Sequence, residues 1–102
     1  MKSSSIFTWA FFMHMTYQII VTGKVQGVGF RRYTQAQAIA LSIVGYVQNL
    51  SDGSVQATIQ GTHDNIIEML DWFHLGPSYA LVDSLEYKDV DPINASTFEI
   101  RR

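Results

Sequence analysis

Within ten residues, Gly23-Lys24-Val25-Gln26-Gly27-Val28-Gly29-Phe30-Arg31-Arg32, this chain places three glycines and then two adjacent arginines. Glycines let backbone N–H groups turn toward a ligand without side-chain obstruction. A helix-like stretch starts where the glycines end. The first N–H groups of a helix have no internal partners and carry the positive end of its dipole. A phosphate-sized anion is bound well in such a place. Arginines there oppose the dipole, at about 0.3–1 kcal/mol each, unless an anion offsets them. The residue types and their order predict an anion site.

The charge pattern agrees. Residues 1–51 carry Lys2, Lys24, Arg31 and Arg32 and no acid, a charge of +4. Residues 52–102 hold all nine acids against Lys88, Arg101 and Arg102, a charge of −6, and the two halves sum to the net −2. Positive charge is therefore local to the glycine segment, and the acidic half is expected to add no attraction for an anion. A neutral tail on a phosphorylated ligand should be tolerated better than a polyanionic one. With a pI of about 5.8 the chain is no general nucleic-acid binder, which would be strongly basic. The absence of cysteine excludes disulfides, thiol catalysis and zinc sites of the cysteine type. His14, His63 and His74 have no ligand spacing with one another or with carboxylates, so no metal site is expected.

The elements that must hold the loop follow from periodicity. At 102 residues, 47% hydrophobic and 16% charged, the chain has enough material for one globular core. Tyr17, Ile19 and Val21 alternate with polar or outward positions, which predicts a strand leading into the loop. A helix is expected from about Arg31 to Leu41, with Tyr33, Ala36 and Ala40 on one face. Gly45–Asn49 and Val55–Gln60 read as two strands joined at Asp52-Gly53, a good hairpin signal, with Val55, Ala57 and Ile59 sharing a face. Thr62 is a candidate cap for a second helix with Ile66, Met69, Leu70 and Phe73 as its apolar stripe, stopped at Gly76-Pro77. Val82–Val90 and Thr97–Arg101 complete the order βαββαβ plus a short last strand. Two helices on one face of an antiparallel sheet give an α+β, ferredoxin-like sandwich.

Residues 1–15 differ from the rest and read as an N-terminal extension, with the domain over 16–102. The apolar run Ile6–Met13 is too short to span a bilayer and lacks an A-x-A cleavage pattern. It is expected to be a mistaken upstream start or a short extension, with the protein cytoplasmic.

Two segments make the chain recognisable. Gly23-Lys24-Val25-Gln26-Gly27-Val28-Gly29-Phe30-Arg31 is followed, one helix later, by Gly45-Tyr46-Val47-Gln48-Asn49-Leu50-Ser51-Asp52-Gly53. In this order they resemble the signature of the acylphosphatase family, and the likeness runs from about Thr16 to Arg102. Gly76-Pro77 and the Phe98-Glu99-Ile100-Arg101 end look like the family's too. Ser42 stands where the family often closes the first helix with glycine, a departure that touches the helix end and not the site.

The resemblance implies hydrolysis of acyl phosphates to a carboxylate and inorganic phosphate, without metal or cofactor. It implies that Arg31 binds the phosphoryl group and Asn49 positions the attacking water. It further implies that the backbone N–H groups of Gln26, Gly27, Val28, Gly29, Phe30 and Arg31 form the cradle. These residue types suit the reaction. A carboxylate leaves at a pKa near 4 without protonation, so no general acid is required. Guanidinium matches phosphate oxygens bidentately, and a neutral amide orients water without repelling the dianion. Alone, Asn49 reads as a turn residue before Asp-Gly. Arg32 reads as solvent-facing, and Trp72, Phe73 and Tyr46 read as packing. Partners are expected to be a small acyl phosphate and its phosphate product, with no nucleic acid, no membrane and a monomeric chain. Two other classes stay open: a module that holds phosphate or a carbamoyl-phosphate-like group without turnover, and an RNA-binding or structural domain.

Overall fold

The computed structural model describes residues 14–102. The extension read at residues 1–15 therefore lies almost wholly outside the described residues. Strand β1, His14–Lys24, enters the fold with Ile19 and Val21 fully buried and Tyr17 at the margin of the core. It ends at the glycine loop, and helix α1 follows over Phe30–Ala40. Strands β2, Val44–Asn49, and β3, Val55–Thr62, form the expected hairpin. Its turn is closed by Leu50 N–H donating to the Ser54 carbonyl at 2.9 Å. Asp52 Oδ1 accepts from the Ser54 N–H at 3.0 Å and from its hydroxyl at 2.6 Å. Those bonds hold the exposed Asp52 carboxyl below the usual carboxylate range. The turn draws that support above the ordinary Asp pKa and loses it as pH falls through the lowered value.

Helix α2, His63–Leu75, follows its local signals throughout. Thr62 Oγ1 accepts from the Asn65 N–H at 3.4 Å as the N-cap, and Asp64 sits in the first turn. Ile66, Met69, Leu70 and Phe73 are its buried stripe. Gly76 (φ 68°) ends it, with Gly76 N–H donating to the Trp72 carbonyl at 2.8 Å. Helix α1 buries a different stripe from the expected one. Phe30, Thr34 and Ala38 face the core, while Tyr33, Ala36 and Ala40 face solvent. The deciding residue is Phe30, whose ring meets Trp72 and Phe73 of α2 with centroids 5.7 and 6.2 Å away. Positions four and eight residues on lie beneath it. Thr34 is admitted because its hydroxyl donates to the Phe30 carbonyl at 2.7 Å, and Ala38 is small enough for the helix to approach the sheet.

Strand β4, Leu81–Asp89, pairs antiparallel with β1, and β5, Phe98–Arg101, pairs with β2. The order across the sheet is β4-β1-β3-β2-β5. The β2–β5 pairing is parallel, so the sheet is mixed and not the antiparallel sheet expected. The cause is the route of the chain. After β4, at one edge, it passes to the opposite edge and enters β5 in the direction of β2. Gln60 of β3 pins that crossing as a second backbone would: its Oε1 accepts from Ile93 N–H at 2.9 Å, and its Nε2 donates to the Ile93 carbonyl at 3.1 Å. Both helices feed a single core with the inward residues of β1, β2 and β3, giving an α+β layer of two helices on a five-stranded mixed sheet. Among the described residues no helix is long and apolar enough to cross a membrane.

Candidate active site

The loop between β1 and α1 takes its shape from Gly27 and Gly29, with φ of 75° and 79°. Both values lie in the left-handed region that other residues adopt at a cost. Alternation of such residues with ordinary ones turns successive N–H groups toward one point. Gly29 is also the N-cap of α1, and no side chain caps that end. The first turn of α1 holds no acid; it holds Arg31 and Arg32. The start of the helix thus presents unpaired N–H groups and two guanidinium groups together, the arrangement that an anion would stabilise.

Beside this loop lies a cleft of about 230 Å³. Gly27, Gly29, Phe30 and Arg31 form one wall, Asn49 stands at the end of β2, and Ile100 and Arg102 close the side formed by β5. Arg31, partly buried, is steered by a hydrogen bond from its Nη1 to the Arg101 carbonyl at 3.1 Å. One edge of the guanidinium is held by the backbone of β5, which leaves nitrogens to meet an anion. Asn49 is fixed by its position, since its backbone pairs with Val55 in the hairpin ladder. Its side-chain carbonyl Oδ1 is buried and has no hydrogen-bond partner. A buried acceptor left unsatisfied costs about 1–3 kcal/mol. Asn49 lines the same cleft as Arg31.

Of the residues read as the site, Gly27, Gly29, Phe30, Arg31 and Asn49 all line this cleft. Gln26 and Val28 do not. Val28 packs against the core, and the side chain of Gln26 reaches to the β2–β3 turn. Phe30 lines the cleft although its side chain belongs to the core. Arg32 is exposed as expected yet also stands in the cleft wall. Val25, Ile100 and Arg102 line it as well, beyond the expected site residues. Arg102 could not be found from local pattern, because it belongs to the acid-rich half and reaches the cleft only through the parallel β5. The expectation that the second half adds no attraction changes accordingly: the cleft is lined by three arginines and no acid. Among the described residues no group of three His, Cys, Asp or Glu side chains is placed to hold a metal ion.

Comparison with known proteins agrees with this geometry. The family model described as Acylphosphatase matches residues 17–100. An acylphosphatase of Trichormus variabilis is 42% identical over 84 residues, covering 82% of this chain and 83% of that protein. One of Bordetella avium is 47% identical over 76 residues, covering 74% and 81%. The solved structure of an acylphosphatase from Coxiella burnetii superposes with a TM-score of 0.84 at 33% identity, covering 86% of this chain and 93% of that one. The match spans both the glycine loop and the Asn49 hairpin, and so this chain belongs to the acylphosphatase family, hydrolases that act on acyl phosphates.

Proposed function

We propose that this chain hydrolyses the carboxyl–phosphate bond of acyl phosphates by positioning and charge alone. The phosphoryl group sits on the N–H groups of residues 26–31 at the start of α1, with the guanidinium of Arg31 across its equatorial oxygens. Phosphoryl transfer spreads charge over those oxygens in the transition state, so donors fixed in advance lower the barrier. Asn49 Oδ1 accepts a hydrogen bond from the attacking water and aims its lone pair along the P–O axis. The P–O(acyl) bond breaks as the water oxygen bonds to phosphorus. The carboxylate departs unprotonated at a pKa near 4, and the water proton goes to a phosphate oxygen. No side chain has to carry a proton.

The observation that carries this reading is that Asn49, whose buried Oδ1 has no partner among the described residues, lines the same cleft as Arg31 and the glycine loop. A residue kept only for its turn would have its carbonyl satisfied by the turn or by solvent. The extra guanidinium groups of Arg32 and Arg102 favour an acyl tail that carries a carboxylate over a neutral one. We further read the architecture as a ferredoxin-like βαββαβ unit with a fifth strand added in parallel. The domain occupies residues 16–102 with residues 1–15 as an extension. It works as a cytoplasmic monomer, without metal, cofactor or nucleic acid. The test is turnover: the purified protein should release inorganic phosphate from benzoyl phosphate in the presence of EDTA. Phosphate binding without turnover would make it a binding module instead, and loss of rate to EDTA restored by Mg²⁺ would overturn the metal-free mechanism.

A further inference from the structure

Gln26 belongs to the phosphate loop by its backbone, but its side chain leaves the cleft. Its single Nε2 donates to two carbonyl oxygens, those of Leu50 and Ser54, at 2.8 Å each. These carbonyls are the two ends of the β2–β3 turn. Leu50 N–H donates to the same Ser54 oxygen at 2.9 Å, and Gly53 N–H donates to the same Leu50 oxygen at 3.2 Å. Asn49 is the residue just before Leu50. One primary amide therefore ties the phosphate loop to the turn that follows Asn49. Among the described residues no other hydrogen bond joins residues 24–29 to residues 50–54.

We propose that Gln26 is a positioning residue that sets the separation between the phosphoryl cradle and Asn49 Oδ1, and through it the line of the attacking water. The inference rests on the role given to Asn49 above. In-line attack needs the reacting atoms about 3–3.5 Å apart and aligned, and a displacement of about 1 Å costs on the order of 10²-fold in rate. Strand β3 joins the strands that carry the two groups, and the Gln26 amide adds a direct tie between the phosphate loop and the turn that follows Asn49. The chemistry of the span suits glutamine: both acceptors are carbonyls, so two N–H bonds on an uncharged group are required. Glutamate would set a carboxylate against two carbonyl oxygens. Asparagine is one methylene short.

The test compares wild type with Gln26→Leu and Gln26→Glu, reading kcat, KM, the inhibition constant of inorganic phosphate, and thermal stability. Gln26→Leu should lose at least about 10-fold in kcat, on the scale of a partial misplacement, with phosphate inhibition little changed because the cradle N–H groups remain. Gln26→Glu should be poor at neutral pH and regain rate relative to wild type as pH falls, since the protonated acid can donate one of the two bonds. Gln26→Leu should show no such recovery. A purely structural role would lower the melting temperature and leave kcat per folded enzyme and its pH profile unmoved, which overturns the inference. Phosphate affinity falling in step with kcat, with no acid recovery in Gln26→Glu, also overturns it by moving Gln26 into the cradle. Should Gln26→Leu not fold, the pH profile of Gln26→Glu decides alone. A wild type without turnover removes the reading of the site and this inference together; a competent wild type with an unaffected Gln26 series removes the inference only.

Discussion

Arg31 divides its guanidinium between the Arg101 carbonyl and the cleft, and that division decides what a substitution does. Lysine brings charge, but it cannot hold the carbonyl with one edge and phosphate oxygens with another. Arg31→Lys and Arg31→Ala should both lose about 10²–10³ in kcat, the cost of removing one transition-state donor. A lysine variant with most of the wild-type turnover would exclude the bidentate role. Asn49 makes a different prediction, because its Oδ1 is an acceptor with nothing to accept from the protein. Asn49→Ala should remove turnover and leave phosphate affinity near its wild-type value, as read by titration calorimetry. Loss of phosphate binding in a folded variant would place the residue in the cradle. At this scale the site residues stand out in the sequence because they cluster in two motifs. The use of each side chain does not: Gln26 looks like part of the loop, and only its bonds to Leu50 and Ser54 set it apart.

Helix α2 is legible from its residues because every signal that fixes it is local: the Thr62 cap, the stripe from Ile66 to Phe73, the stop at Gly76. Helix α1 is legible in extent and misread in face. Its orientation is set by where the Phe30 ring lodges against Trp72 and Phe73, residues of another element that no window around α1 contains. The direction of β5 is hidden for the same reason. Four residues cannot state whether they run parallel, and the answer lies in the crossing pinned by Gln60. The end of α1 carries its own prediction. Ser42 adopts φ 56°, the left-handed region, and does so where the family often has glycine. Relief of that conformation by Ser42→Gly is worth about 1 kcal/mol, against about 0.5 kcal/mol of added unfolded-chain freedom. The variant should melt slightly higher than wild type with unchanged kcat, as calorimetry and the phosphate-release assay would show. A lower melting temperature would mean that the serine makes a compensating contact.

The molecule is a net anion with a cationic cleft. Composition gives the first fact, and folding gives the second by bringing Arg102 of the acid-rich half beside Arg31 and Arg32. Inorganic phosphate and sulfate should therefore inhibit competitively. Their affinity should weaken between low salt and about 0.15 M, where the screening length falls to about 8 Å. Non-competitive inhibition insensitive to salt would place the anion elsewhere. The parallel pairing of β5 with β2 also ties the cleft to a distant part of the sequence. The glycine loop and Asn49 are made early, but the carbonyl that steers Arg31 belongs to a residue 70 positions later in the chain. Contacts of such separation form slowly, because long loops must close before any contact rewards them. Before β5 docks, the second edge of β2 lacks its partner and Arg31 lacks its tether. In a refolding experiment turnover should therefore appear with the slow docking of residues 98–101, and not with the first burial of the core.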